Sequence, residues 1–153
     1  MIESREYPVN VSWTSGRAGY AESVDGLPGL PLAAPPEFGG EEGLWTPEHL
    51  LVASVASCLM TTFLAIAELS KLEVKSLEVG ASGHLVRGED RRYRFDHITV
   101  RPVVGVVGES ARERALRLLA KAEEVCLITR SLSARVLMEP RIEVLDPSGA
   151  VVR

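Results

Sequence analysis

The run from Leu50 to Ala67 (LLVASVASCLMTTFLAIA) contains no charged residue, no proline and no glycine. A helix so apolar all round has to be covered on nearly every side, by a core, a partner or a lipid bilayer. Thr46-Pro47-Glu48 just ahead of it makes a strong helix start. Thr46 can cap, Pro47 suits the first helical position where its missing N–H costs nothing, and Glu48 complements the dipole. The spacing predicts a helix from there to about Leu69. Its length touches the lower limit for a membrane span, roughly 18 apolar residues. The hydroxyls of Ser54, Ser57, Thr61 and Thr62 and the flanking Glu48 and Glu68 favour a protein interior over a membrane. One small domain supplies few elements to cover such a helix, so a dimer whose long helices meet at its centre is expected.

The remaining chain bounds the choice. At 153 residues and 46% hydrophobic it can bury a proper core, and it reads as a single domain, 1–153. A formal charge of -4 leaves no basic footprint and argues against nucleic-acid binding. Two cysteines do not make a disulfide scaffold, and MIESREYPVN lacks the apolar stretch of a signal peptide. The expected home is a reducing cytoplasm, where paired cysteines are more often catalytic than structural.

Residues 6–24 alternate around Ser15-Gly16 and predict a β-hairpin. The Pro- and Gly-rich stretch 27–43 reads as an irregular, functional segment with a short strand near Leu30–Ala33. After the long helix, 74–86 and 92–104 alternate as strands of a hairpin. Ser110-Ala-Arg-Glu113 has the form of a capping box opening a helix over 111–125, with Ala115, Leu118, Leu119, Ala122 and Val125 on one apolar face. A last strand covers 134–145, interrupted at Pro140. Strands, long helix, strands, helix, strand is an α+β order, with antiparallel hairpins packed around two helices.

Cys58 lies in the middle of the apolar helix and Cys126 ends the second one. A lone cysteine in such a setting is by default a small core hydrophobe. Ser54, Thr61 and Thr62 lie one turn away, however, and make the face around Cys58 less greasy. A thiol acts as nucleophile only as thiolate, which burial disfavours unless a positive charge or helix N-terminus opposes it. Arg17, between Gly16 and Gly19, could be a solvated hairpin arginine, yet its guanidinium stays charged in an apolar pocket. Glu48 could simply favour the helix dipole, or could grip an arginine in bidentate fashion. Ten residues of straight helix place Glu48 about 15 Å from Cys58, so one site using both is better assembled from two chains. The histidines His49, His84 and His97 show no metal-ligand spacing, and no phosphate-binding loop or nucleophile elbow is present.

Taken in order, SGRAG (15–19), APPEFGG (34–40), WTPEHLLVASVASCLMTTFLAIAE (45–68) and KAEEVCLITRSLS (121–133) resemble the OsmC/Ohr family of thiol peroxidases, nearest to its OsmC-like branch. The resemblance implies an intertwined homodimer, two long central helices wrapped by antiparallel β-sheets, with two sites at the interface. It makes Cys58 the peroxidatic cysteine, Cys126 the resolving cysteine, Arg17 the activating arginine and Glu48 its carboxylate partner. It implies a hydroperoxide substrate, organic in preference if Leu59 and Phe63 line the site. The implied reductant is a dithiol, lipoylated proteins among such reductants, and no metal or prosthetic group is needed. Leu127 stands where many members have proline, and Leu59 where phenylalanine is frequent. A thiol-based redox sensor or a ligand-binding dimer without turnover is the alternative reading.

Overall fold

The structure, a computed structural model, describes residues 3–153. The chain divides into two compact units, one up to Leu51 and the other from Val52 to Arg153.

The first unit is built on an antiparallel sheet of three strands in sequential order, β1 (Val9–Ser15), β2 (Ala18–Ser23) and β3 (Leu30–Ala33). The expected hairpin forms, with Gly16 at φ +48 in its turn. The predicted strand over 30–33 is present as β3. A 3-10 turn, Pro36–Phe38, follows it and ends at Gly39 with φ +78. This unit buries little. Among its described residues Ala33 is the one fully covered hydrophobic side chain, while every residue of β1 is exposed.

The long helix α1 (Pro47–Leu69) starts where the capping signature places it. Thr46 is buried and its Oγ1 accepts the backbone N–H of His49 at 3.2 Å. The helix stops with Lys71 in the left-handed region (φ +55) and the Leu72 N–H on the Ala67 carbonyl at 2.9 Å, a closure typical of helix C-termini. In the second unit, β4 (Val74–Arg87) and β5 (Tyr93–Val107) pair antiparallel, as their alternation predicts. Helix α2 (Ser110–Val125) and a single turn, α3 (Leu127–Arg130), lead to β6 (Arg135–Met138) and β7 (Arg141–Leu145).

Two expectations are corrected here. The sheets are not all antiparallel: β6 and β7 run parallel to β5 along the same edge, with Pro140 dividing them. The cause is α2, which carries the chain back across the sheet so that the next strand runs in the same direction as β5. Nor does Ser110 cap α2. Glu109 precedes the helix without a side-chain cap and instead pairs with Arg112 at 2.6 Å.

The hydrophobic core lies in this second unit. Val55, Leu59, Phe63 and Ala67 of α1 meet Ile98, Val100, Val104 and Val106 of β5 and Ala115, Leu119 and Ala122 of α2. Arg114 donates to the Ser70 carbonyl, tying α2 to the residue after α1, and Arg112 donates to the Ile142 carbonyl at 3.0 Å. Together these clamps fix the start of α2. By length and composition α1 could cross a membrane, yet one of its faces is committed to this core. Its other face remains uncovered in a single chain, with Leu64 41% exposed.

Candidate functional site

In the second unit the two cysteines meet. Cys58 is half-buried on α1 and Cys126 is fully buried at the junction of α2 and α3, both as free thiols. The Thr62 hydroxyl lies one helical turn beyond Cys58, 3.9 Å from its sulfur. Burial pushes the Cys58 thiol up, but hydrogen bonds outweigh it. The Cys126 thiol, the Ile128 N–H, the Thr62 hydroxyl and the Leu127 N–H all donate to Cys58, and its pKa lies below that of an ordinary cysteine.

The sequence-based expectation assigned that task to an arginine; within this unit the lowering comes first from the Cys126 thiol, then from the Ile128 N–H, the Thr62 hydroxyl and the Leu127 N–H. The short turn α3 was not anticipated. Cys126 adopts φ -59 and ψ 114, and the chain then enters α3. The first N–H groups of any helix have no partner inside it, so those of Leu127 and Ile128 are available to the sulfur. Only the position of this segment just after Cys126 could have hinted at it, since CLITRS carries no capping residue or strong helical signal.

In the first unit Arg17 sits in the β1–β2 turn and donates through Nη1 to the Phe38 carbonyl. The segment APPEFGG thereby acquires a structural purpose. The 3-10 turn aims the Phe38 carbonyl at the guanidinium. A side chain on Gly39 would begin 3.2 Å from Arg17 Nη1, and one on Gly40 would begin 1.6 Å from the Ala34 carbonyl oxygen. Glu48, in the first turn of α1, is half-buried, and its Oε2 is shielded from solvent without a hydrogen-bond partner among the described residues. The expected Arg17–Glu48 ion pair is therefore not formed within the chain: the guanidinium is engaged by a carbonyl instead.

Leu59 and Phe63, expected to line a substrate site, are 2% and 0% exposed and belong to the core. An α-helix with apolar residues on every side does not reveal from its sequence which face turns inward. His84 and His97 pair across β4 and β5 and stack at 4.9 Å, with Asp96 accepting from His97 at 2.9 Å. Among the described residues no group of three or more His, Cys, Asp or Glu is arranged to hold a metal.

A family model described as OsmC-like protein matches residues 39–140. The chain is similar to YmaD of Bacillus subtilis, 24% identical, over 90% of this chain and 93% of that one. Among solved structures it is similar to an OsmC-like protein from Vibrio cholerae at 25% identity and TM-score 0.81, covering 90% of this chain and 99% of the other. It is also similar to a Legionella pneumophila protein described as an organic hydroperoxide resistance protein OsmC. That match has 27% identity and TM-score 0.69, with 92% and 98% coverage. The fold, the segment order and the family match agree: this chain belongs to the OsmC-like protein family.

Proposed function

We propose that this protein is a cysteine-based peroxidase that reduces hydroperoxides. The observation that carries the reading is the contact between Cys58 and Cys126, with the Cys58 thiol made more acidic by the donors around it. The Cys58 thiolate attacks the terminal oxygen of a hydroperoxide. The O–O bond breaks, the alkoxide takes up a proton and leaves as alcohol, and Cys58 becomes a sulfenic acid. The Cys126 thiol then displaces water from it, forming a Cys58–Cys126 disulfide, and an external dithiol reduces the disulfide while being oxidised itself. Cys126 is the largest of the groups that lower the Cys58 pKa, which supports it as the resolving thiol.

Organic hydroperoxides are the preferred substrates in this reading. The buried Leu59 and Phe63 no longer support that preference. It draws instead on the Legionella relative's description and on the exposed apolar side chain of Leu127, whose own N–H donates to Cys58.

The active form is a homodimer in which each chain acts as one domain. Its support is the uncovered apolar surface of β1, where Val9, Val11 and Trp13 share a face, together with the uncovered side of α1. Exposed apolar faces of this kind mark interaction sites. Arg17 and Glu48 serve Cys58 of the partner chain, and the orphaned Glu48 Oε2 fits a carboxylate awaiting a donor that one chain does not supply. The reductant is a dithiol, with lipoylated proteins in the same chemical class, and the cycle suits a reducing cytoplasm.

Single-turnover oxidation of the reduced protein by cumene hydroperoxide and by hydrogen peroxide, followed by intact mass, tests the reading. Loss of two hydrogens is expected, faster with the organic peroxide. An unchanged mass with both peroxides would overturn it.

A further inference from the structure

The hydroxyl side chains around Cys58 on α1 do not all do the same thing. Ser57 Oγ donates to the Ala53 carbonyl at 2.7 Å, and Thr61 Oγ1 donates to the Ser57 carbonyl at 3.0 Å. This is the back-bonding that serine and threonine ordinarily adopt inside a helix, and it spends both hydroxyls on the helix itself. Thr62 departs from that habit. Its Oγ1 faces the Cys58 sulfur at 3.9 Å, at the long end of hydrogen bonds to an atom as large as sulfur. Residues four apart on a helix share a face, so the contact is made within one chain. Both side chains are half-buried, which limits the competition from water.

The contact changes character when Cys58 ionises. A thiol and a hydroxyl can each donate to the other, the sulfur weakly in both roles. A thiolate has no proton to give, so the Thr62 O–H must then be the donor. Hydrogen bonds to an ionised acceptor are roughly twice as strong as neutral ones. The hydroxyl therefore favours the ionised sulfur over the neutral one without carrying a charge.

We propose that Thr62 is a positioning residue for Cys58: its hydroxyl donates to the sulfur once the thiol proton has left and holds the thiolate in place on α1. This rests on the reading of Cys58 as the nucleophile, and it gives that thiol a donor from its own helix besides Arg17.

Three variants separate the hydroxyl from the packing. Thr62→Val puts a methyl where the hydroxyl stood, and Thr62→Ser keeps the hydroxyl and drops the methyl. Thr61→Val removes a neighbouring hydroxyl that is bonded to the helix instead of the sulfur. The readout is the alkylation rate of Cys58 against pH, resolved by peptide mass and measured on reduced protein without peroxide.

Thr62→Val should raise the midpoint by about half a unit, about a threefold loss of thiolate below it. Thr62→Ser and Thr61→Val should keep the wild-type midpoint. A wild-type midpoint in Thr62→Val would overturn the proposal, as would an equal rise in Thr62→Ser or in Thr61→Val. Should Thr62→Val lose the wild-type circular-dichroism spectrum, Thr62→Ala takes its place with the same expectation. A raised midpoint in Thr62→Val, with no peroxide consumption by the wild type, would keep the role of Thr62 and reject the peroxidase reading.

Discussion

Trp13 offers the sharpest test of assembly. It stands 78% exposed on β1, beside Val9 at 66% and Val11 at 58% on the same face, and its Nε1 donates to the Gly16 carbonyl at 3.1 Å. A tryptophan presents on the order of 150–250 Å², so about 120–195 Å² of it stays in water in a single chain. At about 25 cal/mol/Å², covering that area is worth about 3–5 kcal/mol, an upper figure, because association and side-chain ordering subtract from it. If about 2 kcal/mol per chain survives, the two-fold repeat of the contact gives about 4 kcal/mol per dimer. Trp13→Ser should then raise the dimer Kd about a thousandfold. Sedimentation across a dilution series measures this, with far-UV circular dichroism showing that the chain still folds. A variant that dimerises as tightly as the wild type would remove the β1 face from the interface. A wild-type chain that is monomeric at high micromolar concentration would remove the dimer itself.

Other outcomes follow from the site. Arg17→Lys and Glu48→Gln should each slow peroxide reduction by more than tenfold, because lysine lacks the planar fork that a carboxylate can hold in two places. Wild-type rates in both would exclude them from the site. Inactive Cys58→Ser chains refolded together with inactive Arg17→Ala chains should recover about a quarter of wild-type sites, since about half of the dimers are mixed and each mixed dimer holds one intact site. No recovery, with mixed dimers confirmed by mass, would contradict the two-chain site. The Cys58 thiol is shifted down in the folded protein. Its thiolate therefore stabilises the native state above the ordinary thiol range, a contribution lost as pH falls through the shifted value. Native Cys58 should accordingly alkylate at pH values where the urea-unfolded chain no longer reacts, and identical profiles would refute the shift.

What could be read from the sequence was local. The Thr46-Pro47 start, the period-2 alternation of β4 and β5, the Ser15-Gly16 turn and the break at Pro140 each depend on a few neighbouring residues, and the structure bears them out. Strand direction was not legible, because an alternating segment such as 134–145 reads the same whether it pairs parallel or antiparallel. The apolar all-round composition of α1 concealed which face enters the core, and Leu59 and Phe63 were misplaced for that reason. Cys58, Cys126, Arg17 and Glu48 stood out as residue types able to do thiol chemistry. The amides of Leu127 and Ile128 did not, since a backbone donor leaves no mark on the identity of its residue. Arg17 and Glu48 each found surroundings the sequence had not indicated, a carbonyl for the first and an unpartnered oxygen for the second.

The central claim is catalytic turnover through Cys58, and steady-state consumption of an organic hydroperoxide with a dithiol reductant measures it most directly. The account predicts many turnovers per chain for the wild type and none for Cys58→Ser. It also predicts that Cys126→Ser consumes about one equivalent and stops, leaving Cys58 oxidised. Consumption that halts after one equivalent in the wild type despite excess dithiol, or that continues undiminished in Cys58→Ser, would contradict it.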